Sequence, residues 1–136
     1  MIKADDIAQL ARVLVTDTAN EARIRCAVSR AYYAAFHYCD FAATSWCNPL
    51  PAADKKDKGE HAQLYLQLQT CCEDASLEKD LKLMVAEAKK LRDLRIQSDY
   101  KLTETVDQKV FVRSISYMSQ VKGYLDSLVK TATKKE

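Results

Sequence analysis

The sequence predicts an all-α fold, and three observations carry that expectation. The 136 residues contain only two glycines and two prolines, too few for the turns that sandwiches and barrels require. Apolar residues recur at three- and four-residue spacing over long stretches, the period of one helix face. Residues that favour helix starts precede several of these stretches. Hydrophobic residues make up 48% and charged residues 29% of the chain, the composition of an ordinary globular protein. The length fits a single domain, residues 1–136, with a hydrophobic core of its own.

The elements follow in order. Ile7, Leu10, Ala11 and Leu14 predict a first helix from about Asp5 to Val15, with Asp5 and Asp6 where negative charge favours an N-terminus. Thr18 and Glu21 have capping-box spacing and open a second helix that nothing interrupts before Asn48-Pro49. Its predicted inner stripe is Ile24, Ala27, Val28, Ala31, Ala35, Tyr38 and Ala42, and its length makes it the expected spine of a bundle. Residues 48–59, with Pro49, Pro51 and alternating charges, read as a solvated loop. A helix over about Glu60–Cys72 turns Leu64, Leu68 and one of Cys71 or Cys72 inward. Ser76 is the expected N-cap of the next helix, whose stripe is Leu77, Leu81, Met84, Val85, Ala88 and Leu91. Thr105 and Gln108 form a second capping-box pattern. The last helix then runs to about Lys130, with Val106, Val110, Ser114, Tyr117, Val121, Tyr124, Leu125 and Leu128 inward and 131–136 as a polar tail.

Charge and cysteine usage limit the function classes. With 21 basic and 19 acidic residues the formal net charge is +2. Any contact with RNA is therefore expected through a local pocket, not through bulk charge. The five cysteines, Cys26, Cys39, Cys47, Cys71 and Cys72, form no CxxC pair. The odd count and the absence of a secretory leader predict free thiols in a reducing, cytoplasmic setting. His61 is the only histidine near Cys71-Cys72 in sequence, and metal-ligand spacing is missing, so no metal and no cofactor are expected. No stretch reaches the roughly 18 apolar residues of a membrane span.

Two places carry the candidate chemistry. Within Ser29-Arg30-Ala31-Tyr32-Tyr33-Ala34-Ala35-Phe36-His37, small residues share one face for close helix packing. Arg30, Tyr33 and His37 share the neighbouring face. The apolar stripe ending at Leu91 continues, four residues at a time, onto Arg95 and Asp99. Buried charges are costly unless paired, so these two either satisfy each other or face a polar cleft. His37 reads either as the one side chain here that titrates near neutral pH or as a packing histidine bonded to a tyrosine. Tyr32 and Tyr38 read as core or interface aromatics, and His61 as a helix-start residue.

Three stretches together resemble the HEPN family, in its small stand-alone branch. They are Glu21-Ala22 through Ser29-Arg30-Ala31-Tyr32-Tyr33-Ala34-Ala35-Phe36-His37, then Lys58-Gly59-Glu60-His61, then Leu91-Arg92-Asp93-Leu94-Arg95 into Ser98-Asp99-Tyr100. The resemblance spans nearly the whole chain. It implies an antiparallel four- to five-helix bundle that forms a homodimer, and an association with RNA or nucleotide. Many HEPN proteins are metal-independent endoribonucleases of toxin–antitoxin or defence systems; others bind RNA or nucleotides beside a minimal nucleotidyltransferase. Active members carry an arginine, four to six residues, then a histidine. Here Tyr100 stands where the shortest spacing puts that histidine, and Lys101 and Leu102 follow; the branch often reads Arg…Asp-Tyr at this point. The expected composite cleft has Arg95, Asp99, Tyr100 and His37 as catalytic candidates. Arg30, Tyr33 and Arg92 are its substrate-binding candidates.

Overall fold

The computed structural model describes residues 1–15 and 20–134. Among these residues there are six helices and no strand: α1 (Ala4–Val13), α2 (Glu21–Trp46), α3 (Ala52–Lys55), α4 (Glu60–Thr70), α5 (Ala75–Tyr100) and α6 (Gln108–Thr133). The all-helical expectation holds. No described helix is long and apolar enough to cross a membrane.

The 26-residue α2 is the spine, packed against α1, α4, α5 and α6. Its seven predicted inward residues are all buried. The packing is close because the buried face of α2 is rich in small residues: Ala27, Ala31, Ala35 and Ala42 of the predicted stripe, and Ala34 beside it, are fully enclosed, and helix separation follows the size of the side chains at the contact. The predicted stripe of α5 is likewise buried throughout, with Leu81, Met84, Val85, Ala88 and Leu91 fully so. Truncating a buried leucine such as Leu91 to alanine costs about 2–5 kcal/mol.

The differences from the expected pattern have local causes. α1 docks through Ala8 and Ala11, while Leu10 is 46% exposed. Ala4, Ile7, Ala8 and Ala11 face the core, a register that lets the helix approach the alanines of α2. Thr18 lies outside the described residues; the cap of α2 is Asn20, whose Oδ1 accepts from the Arg23 amide at 2.9 Å. The segment expected to be loop contains the single turn α3 and buries Leu50. Cys71 and Cys72 are both half-buried just past α4. Asp74, not Ser76, caps α5: its Oδ1 accepts from the Ser76 amide at 3.0 Å and from its hydroxyl at 2.7 Å. Asp107, not Thr105, caps α6, accepting from the amides of Lys109 and Val110. In both cases the carboxylate is the stronger acceptor for the positive end of a helix. Tyr117 and Tyr124 are half-buried, and Met118 takes the central position instead. The helix continues through Thr131 and Thr133, whose hydroxyls donate to the carbonyls of Ser127 and Val129.

The C-terminus of α5 is fixed by Arg25 of α2. Its guanidinium donates to the carbonyls of Ser98 (2.8 Å), Gln97 (3.2 Å), Lys101 and Glu104 and pairs with Glu21 at 3.5 Å. Glu21 Oε1 also accepts from the Val106 amide at 2.6 Å. A cation at this end satisfies carbonyls that the helix itself leaves open. The clamp holds the last turn of α5 against α2, and so fixes where Arg95 and Asp99 stand.

Candidate functional site

Three elements meet along the middle of the α2 spine. α2 supplies Ser29, Arg30, Tyr32, Tyr33 and Phe36; the start of α4 supplies His61 and Tyr65; the last turns of α5 supply Arg92, Arg95, Asp99 and Tyr100. Arg95 and Asp99 are neighbours by helical spacing, and Arg95 Nε donates to Asp99 Oδ2 at 2.9 Å with the arginine side chain 18% exposed. Ser29 Oγ donates to the same carboxylate oxygen at 3.2 Å. Arg95 Nη2 lies 3.4 Å from the Tyr100 hydroxyl. The guanidinium carbon stands 5.3 Å from the Tyr100 ring centre and 5.7 Å from that of Tyr32, within range of cation–π attraction.

Tyr32 is fully buried, so its hydroxyl must find partners. It has two: Tyr65 Oη at 2.8 Å and His61 Nδ1 at 2.5 Å. The His61 ring stacks on Tyr32 at 5.4 Å between centres and lies 4.5 Å from the Phe36 ring. Arg92 stands over the Tyr65 ring, 5.7 Å from its centre. Arg30 lies 4.6 Å over the Tyr33 ring.

The electrostatics follow from this packing. Burial pushes the His61 pKa below its ordinary value, and the charges of Arg95 and Arg92 push it the same way, so the imidazole is neutral near pH 7. Burial works against the Arg95 charge, but the facing Tyr100, Asp99 and Tyr33 groups outweigh it and its pKa rises. Burial raises the pKa of Tyr32 and of Tyr65, so both phenols stay protonated. Each hydroxyl can donate as well as accept. If His61 Nδ1–H donates to Tyr32 and Tyr32 to Tyr65, the imidazole lone pair stands on Nε2 and can take a proton. If the chain runs the other way, Nε2 carries the proton and donates. The bond at one ring nitrogen thus sets what the other can do.

The structure therefore brings Arg95, Asp99, Tyr100, Tyr33, Arg30 and Arg92 to one region and leaves His37 out of it. His37 is exposed, touches Phe36 edge-on at 5.6 Å, and lines a separate cavity of about 390 Å³ with Tyr38, Phe41 and Lys122. The histidine that shares Tyr32 with the guanidinium, and feels its charge, is His61. On a helical wheel Arg30, Tyr33 and His37 do share a side, but seven residues separate Arg30 from His37, about 10 Å of rise, and α4 begins against Tyr32 and Phe36 instead. Ser29, Tyr32, His61 and Tyr65 are the members that sequence reasoning missed as site residues. The one available signal was a buried-type tyrosine with a histidine at the start of a following helix, and it does not name its partner. Among the described residues no group of three or more His, Cys, Asp or Glu side chains is gathered as a metal site needs. Comparison with family models, with curated proteins and with solved structures finds no match for this chain.

Proposed function

We propose that this chain is a HEPN-type, RNA-associated protein that cleaves RNA without a metal ion, acting as a homodimer in a toxin or defence setting. The observation that carries the reading is the neutral imidazole of His61, held through Nδ1 by Tyr32, beside the fixed guanidinium of Arg95. Cleavage at a ribose needs a base, a cation and an acid. His61 Nε2 takes the proton of the 2′-hydroxyl, and the 2′-oxygen attacks phosphorus. Arg95 stabilises the charge that develops on the phosphorane oxygens, which a planar guanidinium can meet with two N–H groups. The bond from phosphorus to the 5′-oxygen breaks, and the Tyr100 hydroxyl gives that oxygen its proton. The products are a 2′,3′-cyclic phosphate and a 5′-hydroxyl. Asp99 and Ser29 hold Arg95 in place, and Tyr33 offers a ring on which a base can stack.

The test is cleavage of single-stranded RNA by the purified protein in EDTA, with the termini identified by mass. Arg95→Ala lowers the rate about 10²–10³-fold. A variant that cleaves as fast as the wild type removes the proposed role.

One observation favours a second reading, a non-catalytic RNA- or nucleotide-binding module beside a minimal nucleotidyltransferase. Arg95 is already bound to Asp99 along its Nε edge, which leaves less of the fork for a transition state. RNA binding without any product in EDTA selects that reading.

A further inference from the structure

A cavity of about 300 Å³ lies beside the site, between α4 and α5, and its polar lining is cationic: Lys58, Lys89 and Arg92, with Gln69 and the Tyr65 ring. No carboxylate lines it, and among the described residues none of the three cations has an ion-pair partner. Arg92 Nε is buried and has no hydrogen-bond partner. A buried donor left unsatisfied is costly, and like charges gathered without a counter-ion add to that cost. Elsewhere the same helix answers its charges: Lys82 with Glu78, Lys90 with Glu87, Arg95 with Asp99. We propose that this cavity is a phosphate-binding subsite, occupied by a backbone phosphate of the RNA strand next to the one that Arg95 meets.

The placement supports it. Arg92 and Arg95 are three residues apart on α5, about 4.5 Å in rise and 60° in direction, so they flank the Tyr32–Tyr65 hydroxyl pair from adjacent sides. Tyr65 belongs to both places: its ring faces Arg92 and its hydroxyl reaches Tyr32. Lys58 and Lys89 supply point charges and Arg92 a planar guanidinium at the cavity wall, the combination that holds a phosphate. The inference rests on the RNA reading given above, and its test separates the two.

Inorganic phosphate is titrated at constant ionic strength while the Arg92 Nε–H resonance is followed by NMR, in the wild type and in a Lys58→Ala/Lys89→Ala variant. A saturable shift that the double variant loses is expected; no shift, or the same shift in both, overturns the subsite. Binding of a single-stranded RNA oligonucleotide is then measured against salt. Loss of one phosphate contact lowers the slope of log K on log salt by about 0.7, so the double variant shows a shallower slope, and Lys89→Glu weakens binding further. An unchanged slope overturns the assignment to RNA. If phosphate saturates the cavity but the wild type binds no RNA at any salt, the RNA assignment falls together with the functional reading, while the anion site itself stands on the NMR result.

Discussion

α2 carries two buried tyrosines six residues apart, and they end in opposite environments. The Tyr38 hydroxyl donates to Asp5 Oδ1 at 2.5 Å, Lys122 closes the group at 3.7 Å from Asp5 and 3.3 Å from Asp126, and its ammonium lies 5.3 Å over the Tyr38 ring. Two carboxylates meet Lys122 there, and the Arg12 charge also acts on Asp5. The Tyr32 hydroxyl instead meets another phenol and an imidazole, among two guanidiniums, Arg92 and Arg95, with the carboxylates of Asp99 beside Arg95 and Glu60 near His61. The first cluster is electrically complete and ties α1 and α6 to the spine. The second holds Arg92, which has no ion-pair partner among the described residues, and an imidazole that bonds among them only through Nδ1. Surplus charge of one sign beside a titrating group is what an anionic ligand requires, and His37 belongs to the wrong cluster for that purpose.

On the RNA-cleavage reading proposed above, the largest effect that separates the two clusters is catalytic. His61→Ala reduces RNA cleavage about 10²–10⁴-fold, the range of a lost general base, whereas His37→Ala leaves the rate at the wild-type level. Initial rates in EDTA check both. Equal losses in the two variants would erase the distinction between the clusters and return His37 to the site.

A smaller effect is on stability. Tyr32→Phe strips partners from a buried phenol and from the imidazole, and costs about 1–3 kcal/mol. Tyr38→Phe leaves Asp5, whose side chain is 65% exposed, free to return to water, and costs about 0.5–1.5 kcal/mol. Urea midpoints measure the difference, and a larger loss for Tyr38→Phe would reverse which cluster is buried in energetic terms.

The smallest effect is in pH dependence, where the clusters act in different windows. His61 has a folded pKa below its ordinary 6.5. As pH falls from 6.5 toward the folded value, the unfolded chain takes up a proton that the folded protein resists, so stability declines over that interval and levels off below it. Cleavage by a neutral His61 has its acid limb below 6.5 for the same reason. Asp5 has a folded pKa below 3.8, first because Tyr38 donates to it and then because Lys122 is near. Its contribution is intact above 3.8 and is lost as pH falls through the lowered value. Urea midpoints taken across both intervals show the two steps, and Tyr38→Phe flattens only the acid one.

Helical periodicity was enough to read most of the local structure. The stripes of α2 and α5 are buried as their spacing predicts, because a helix face is set by residues three and four apart. Arg95 and Asp99 were legible as a pair on the same ground. Caps were less legible. Ser76 and Thr105 fit the usual pattern, but nearby Asp74 and Asp107 offered stronger acceptors. The Leu10 face of α1 was misread because alanines, weak in any hydrophobic count, gave the closer fit against α2.

The sequence by itself determined that the chain is helical, that α2 is its spine, and that a guanidinium and a carboxylate stand together at the end of α5. All of these rest on neighbours within one helix. Which histidine shares Tyr32 with that guanidinium was decided only by tertiary structure. His61 and Tyr32 are 29 residues apart, joined by a proline-containing connection whose path no periodicity encodes. The docking of α4 on α2 and the clamp of Arg25 on α5 bring three distant elements to a single place, and the chemistry depends on that convergence.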